Sequence, residues 1–270
     1  MHHVEVISAR KGQRIRTYTF PGAWEECSAH QLGVIAALLS AREAGTEHTD
    51  REECHLRLRL LHELTGMPDK VFCRIAPEDL LGLRSDELGI DRVALLPGLD
   101  WALMPPRWEK SLLPTVQVDR AHFIGPTDRL ANWTLIQWGF CDQLMQRLGR
   151  LACAEALHEL LGALHHRAGE PWDHEGIEER AAALARLDDA TKLAAILNYR
   201  GLRNWLSDRY PRCFKGSVQD PHGIQGMVVR MAGPKFGTVQ QAYHANLHDV
   251  MVHVEQAIED ADKAEQEHHS

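Results

Sequence analysis

The run Phe123-Ile124-Gly125-Pro126-Thr127-Asp128-Arg129-Leu130-Ala131-Asn132-Trp133-Thr134 separates two kinds of sequence. Before it, Leu113-Pro114-Thr115-Val116-Gln117-Val118 alternates as a strand does, and after Thr134 apolar residues recur at helical spacing. Gly125 and Pro126 predict a tight turn, Asp128 is placed to accept from backbone donors within it, and Asn132 or Thr134 can cap the next helix. The element reads as a structural hinge that docks an N-terminal portion, residues 1–122, onto a C-terminal helical portion, residues 123–259. Residues 260–270 are charged and expected to fray, and the whole should make one compact unit.

The rest of the pattern predicts a mainly α, α+β chain: a multi-helix globular domain with a small N-terminal β-hairpin. Val4–Ser8 and Arg14–Phe20 flank Lys11-Gly12 as a hairpin that ends at Pro21-Gly22, and Thr115–Val118 offers one further strand that can pair with it. Ser28 and Gln31 make a capping box ahead of Leu32, Ile35, Leu38 and Leu39. Asp50 opens a second helix that should stop at Gly66, before Met67-Pro68. Short helices are expected at Asp69–Ile75 and Pro77–Leu83. Gly89–Pro114 then forms an irregular, proline-rich connector anchored by Trp101 and Trp108.

Thr134 and Gln137 form another capping box, for a helix carrying Trp138, Cys141, Leu144, Met145 and Leu148. Leu151–His166 continues as a helix ended by Gly169-Glu170-Pro171, and Ile177–Leu187 follows. Asp188-Asp189 caps a helix that Tyr210-Pro211 stops, and Gly223–Met231 predicts a short one. Thr238 caps the last, whose core-facing seam is Val239, Tyr243, Leu247, Val250, Val254 and Ile258.

The formal net charge of -8 argues against a protein whose main task is gripping a phosphate backbone. Seventeen histidines would cancel much of that charge near pH 6 and make association pH-sensitive. Arg200, Arg203, Arg209, Arg212 and Lys215 are interleaved with Tyr199, Trp205, Tyr210 and Phe214, aromatics expected to face the core. The six cysteines show neither CxxC nor zinc spacing and read as reduced thiols packed as small hydrophobes. Met1-His2-His3-Val4-Glu5 has no apolar signal core, and no apolar run reaches a membrane-spanning length, so a soluble, cytoplasmic protein is expected.

Candidate chemistry is sparse. His158-Glu159 begins like a zinc-protease helix, but the second histidine would fall at Gly162. His244 and His248 have the i,i+4 spacing of a helical metal pair with Glu255 two turns on, against the ordinary reading of a polar helix face. Glu170, Asp173, His174 and Glu175 form a polar loop beside Pro171-Trp172. Gly233-Pro234-Lys235-Phe236-Gly237-Thr238 lacks the ending of a phosphate loop and reads as a helix entry. No catalytic residue and no cofactor is assigned from the sequence.

The portion from Lys110 to Glu259 resembles a family of uncharacterised proteins encoded near the tail genes of tailed phages and prophages of Bacteroidetes-type bacteria. The resemblance rests on a proline-containing strand, Ser111–Val118, and an aromatic-x-Gly-Pro-x-Asp-x-Leu-x-Asn element, Phe123–Asn132. Leu197-Asn198-Tyr199-Arg200-Gly201-Leu202-Arg203, Tyr210-Pro211-Arg212-Cys213-Phe214 and Phe236-Gly237-Thr238 complete it. Where that family tends to read Leu-Tyr-Arg-Pro, this chain has Leu164-His165-His166-Arg167. The resemblance implies a virion-assembly or tail-associated role, and the leading expectation is a tail-assembly factor of chaperone type in the cytoplasm of the bacterial host, with a tape-measure or other tail protein as partner held in an apolar helical groove. A stoichiometric tail or neck component is the alternative, and a metal-dependent enzyme using His244, His248 and Glu255 the second.

Overall fold

The computed structural model describes residues 1–7, 14–44, 50–68, 72, 98–151, 153–214, 232–233 and 235–268. The helices expected at Pro77–Leu83 and Gly223–Met231, nearly all of that at Asp69–Ile75, and Lys215 lie outside the described residues. The described chain is mostly helical with small antiparallel sheets, as the periodicity predicts. It forms two units, Met1–Pro106 with Asp188–Leu197, and Arg107–Leu187 with Asn198–Ser270.

In the first unit, strands β1 (His2–Ile7) and β2 (Arg14–Phe20) pair antiparallel from His2 opposite Phe20 to Ile7 opposite Arg14. Helix α1 (Ala29–Ala44) begins with the capping box its sequence spells: Ser28 N–H donates to Gln31 Oε1 at 2.9 Å and Gln31 N–H to Ser28 Oγ at 3.2 Å. It buries Leu32, Ile35, Leu38 and Leu39, the i, i+3, i+4 face that a core-facing helix presents. Helix α2 (Asp50–Thr65) buries Leu58, Leu60, Leu61 and Leu64 and stops at Gly66, whose φ is 60°. The two helices pack together, and Gln31 Nε2 donates to Leu64 O at 3.1 Å. Helix α3 (Asp100–Leu103) carries Trp101 edge-on to Trp24 at 5.1 Å, so the connector is anchored by its tryptophan. Asp188 Oδ1 accepts from Thr191 N–H at 2.9 Å and caps the long helix that starts here.

In the second unit, β3 (Thr115–Val118) pairs antiparallel with β4 (Ala121–Ile124), not with the N-terminal hairpin. The two-residue turn between them makes the local partner the accessible one. Val116 and Val118 are buried while Thr115 and Gln117 face out. Helix α4 (Leu135–Leu151) follows, with Gln137 N–H donating to Thr134 Oγ1 at 3.3 Å. Helix α5 (Ala154–Leu164) packs against α4 and against α6 (Ile177–Leu184).

The stop of α5 corrects the expectation of a helix running through His166 to Gly169. It ends at Leu164, where the His165 ring turns inward and donates through Nδ1 to Leu161 O at 2.9 Å. His166–Arg167 then become β5, on the other edge of β4. A tertiary pairing ends this helix, so no glycine or proline announces it. Helix α7 (Asp189–Arg209) stops at Tyr210-Pro211 as expected, and α8 (Pro211–Phe214) follows.

The last predicted helix is broken into α9 (Val239–Tyr243) and α10 (Leu247–His268). Thr238 caps the first with a full capping box to Gln241. Asn246 caps the second, accepting His248 N–H at Oδ1, 2.9 Å. Leu247 and Val250 of the expected seam are fully buried, but Val239 is 41% exposed. The C-terminal residues expected to fray are helical to His268. Gln256 donating to Asp260 and Lys263 pairing with Glu259, both at i,i+4, support that exposed end.

Candidate functional site

The motif that divides the sequence lies within the second unit, where its residues meet the chain at three distant points. Gly125 N–H donates to Pro114 O at 2.8 Å, closing the end of the β3–β4 pair. Pro126 is buried behind it. The Asp128 carboxyl does not serve a donor of its own turn, as its spacing suggested; Oδ1 accepts from Ser111 N–H at 2.8 Å. Ser111 Oγ in turn accepts from Asn198 Nδ2 at 3.1 Å, and Leu112 N–H donates to Asn198 Oδ1 at 2.8 Å. Asn198, 1% exposed, thereby satisfies the strand entry from inside helix α7.

Arg129 and Leu130 both adopt φ 57°, left-handed conformations that a β-carbon disfavours. Arg129 is pinned on both sides: its N–H donates to Glu109 O at 2.6 Å, and its carbonyl accepts from His248 Nε2 at 2.7 Å. A carbonyl only accepts, so His248 carries its proton on Nε2; Nδ1 is left to accept from the Tyr210 hydroxyl at 2.9 Å. Asn246 Nδ2 donates to Ala131 O at 2.9 Å, Leu247 N–H to Trp133 O at 2.9 Å, and Leu135 N–H to Ala245 O at 3.1 Å. The α9–α10 junction is thus stitched along residues 129–135. Asn132 is exposed beside this seam, and Thr134 supplies the cap.

The break between α9 and α10 removes the premise of the helical metal pair. His244 and His248 sit on opposite sides of it, so their four-residue separation does not place them one turn apart on one helix. His248 has both ring nitrogens engaged, His244 lies against Gln240 at 3.3 Å, and Glu255 accepts from Cys213 N–H at 3.0 Å. Among the described residues no group of three or more His, Cys, Asp or Glu is arranged to hold a metal ion. Gly162, where the zinc-protease pattern would need a histidine, is backed by Ile177 O, which a β-carbon would meet at 2.4 Å.

The polar loop after α5 is an internal brace. Arg180, 6% exposed, donates through Nε to Gly162 O at 2.9 Å and through Nη1 to Asp173 Oδ2 at 3.1 Å. The backbone N–H of Gly176 and the guanidinium hold the Asp173 carboxyl below the usual carboxylate range. His174 stacks on Phe140 at 5.6 Å, and Trp172 Nε1 donates to Ala163 O at 2.8 Å.

Within the basic cluster only Arg203 is drawn into a part-buried ion pair, while Arg209 and Arg212 are exposed. Arg203 pairs with Asp142 at 2.5 Å, and Arg212 reaches Glu259 at 3.4 Å and Glu255 at 3.9 Å. Of the aromatics expected to face the core, Tyr199 is fully buried and stacked on Trp133 at 5.6 Å and Tyr210 is buried, while Trp205 and Phe214 are half-buried. Burial pushes the Cys27 and Cys213 thiols up to about 12 and the Cys141 thiol well above its ordinary value, which keeps them protonated and unreactive.

Asn246 and Asp142 carry much of this arrangement and gave no signal in the sequence, whereas Ser111, Asn198 and Arg203 stand in the stretches singled out there without the bonds they make. No protein-family model matches the chain, and neither a curated protein nor a solved structure is similar to it.

Proposed function

We propose that this protein is a phage or prophage tail-assembly factor that works by holding another tail protein, not by catalysis. One observation carries the reading: the residues through which the chain resembles that family are engaged in holding the chain to itself. Gly125 closes the β3–β4 pair, Asp128 and Asn198 secure the strand entry, and Tyr210 orients His248. A pattern that specifies a scaffold leaves function to the surface the scaffold presents.

That surface offers two large apolar side chains in the second unit, Val239 at 41% and Val252 at 54% exposure, on successive helices beside an acidic helical end. Exposed apolar side chains of this kind suit contact with an amphipathic helix of a tape-measure protein, with the acidic flank limiting self-association. Co-expression with the neighbouring tape-measure protein tests the proposal. A recoverable complex and a larger soluble fraction of the partner are expected; neither complex nor gain in solubility would overturn it. Presence of this chain in many copies in purified virions would favour a stoichiometric tail component instead.

A further inference from the structure

We infer that the seam between residues 129–135 and the α9–α10 junction is a two-state latch, in which a strained turn and an interrupted helix hold each other in place. Two local preferences are violated on its opposite sides. Arg129 and Leu130 are consecutive non-glycine residues at φ 57°, a combination that relaxes readily if nothing fixes it. Opposite them, the helix from Val239 stops after Tyr243 and restarts at Leu247, although His244-Ala245-Asn246 contains neither glycine nor proline. The stripe Val239, Tyr243, Leu247, Val250, Val254, Ile258 runs across that interruption with unbroken helical spacing.

Beside the Glu109 carbonyl on the Arg129 amide and the Asn246 cap on His248, what compensates both violations is the stitching between them. His248 donates to the Arg129 carbonyl at 2.7 Å, Asn246 to the Ala131 carbonyl at 2.9 Å, and the Leu247 amide to the Trp133 carbonyl at 2.9 Å. The Leu135 amide returns a bond to Ala245 O, and Thr134 bridges Asn246. Local rules broken together on two sides of one seam, and bonded across it, suit an element with two arrangements. In the released arrangement residues 239–268 form one helix, the Ala245–His248 amides bond within it, and the Arg129–Leu130 turn leaves the left-handed region. The latch stands on this geometry alone and is independent of which partner the protein binds.

Hydrogen exchange on the full chain tests it. Arg129→Gly, at an exposed position, relieves the strain and should slow exchange of the Leu130, Ala131 and Trp133 amides at least threefold. Asn246→Ala removes the Ala131 contact and the second cap, and should speed exchange of those same amides about tenfold while the Leu247 and His248 amides stay protected. His248→Phe, which keeps a ring against Trp205 and Tyr210, is the second variant for the release arm and should act like Asn246→Ala. Unchanged turn exchange in Arg129→Gly would overturn the latch. So would release variants in which the turn keeps its wild-type protection, or in which Leu247 and His248 open together with it.

Discussion

The His165 imidazole occupies the volume that a side chain at Gly125 would need: a β-carbon there would stand 3.0 Å from His165 Nε2 and 3.3 Å from Leu113 O. The glycine of the dividing motif is therefore favoured by a ring on a helix end 40 residues away in sequence. The ring itself is fully buried and neutral, with its Nδ1 proton on Leu161 O and its Nε2 facing Gly125 with no hydrogen-bond partner.

Gly125→Ala must displace that ring or the Leu113 backbone. It should cost about 1–3 kcal/mol, the range for overpacking a filled core. Urea unfolding followed by tryptophan fluorescence reads the loss as a lower midpoint with an unchanged slope.

His165 also sets an acid limit on stability. Burial pushes its pKa down to about 4, with the Leu161 hydrogen bond opposing and His166 adding to the depression. Its folded value lies below the unfolded one, so the unfolded chain takes up the proton first. The contribution is full above about pH 6.5 and is lost as pH falls towards 4, amounting to about 3 kcal/mol across that window. Stability measured by denaturant at several pH values should show this slope in the wild type. A His165→Asn variant, whose amide can still donate to Leu161 O, should lack it.

Three helix starts were legible because each is written in two residues three apart, Ser28 with Gln31, Asp188 with Thr191 and Thr238 with Gln241, whereas the start at Leu247 was not. The helix ends at Leu164 and Tyr243 were not. Each is imposed by a partner far away in sequence, β4 in one case and residues 129–135 in the other. The same distance hid the site. Asp128 looked like a turn residue because its acceptor role suits a local donor, yet the donor it serves is Ser111, 17 residues earlier. The i,i+4 histidines looked like a metal pair because spacing assumes a continuous helix.

Asp142 and Arg203 form a largely buried pair, with side chains 12% and 30% exposed. Removing one partner should cost more than removing both, because a lone charge would stay buried. Asp142→Ala is expected to lower stability by about 2–4 kcal/mol, and Asp142→Leu combined with Arg203→Leu by less. A double-mutant cycle from thermal or urea unfolding checks the coupling.

Thr238 caps α9 with its side chain and receives the Gln241 side chain in return. Thr238→Ala should destabilise the second unit by about 1 kcal/mol, whereas Thr238→Ser should be near neutral. Urea midpoints of the two variants distinguish them.

The claim that this chain acts by holding a tail protein is tested most directly by calorimetric titration of a tape-measure segment into the purified protein. Saturable binding is predicted, weakened at least tenfold by Val239→Glu with Val252→Glu while the urea midpoint stays within error of the wild type. No heat of binding to the wild type, or equal affinity for the double variant, would contradict it.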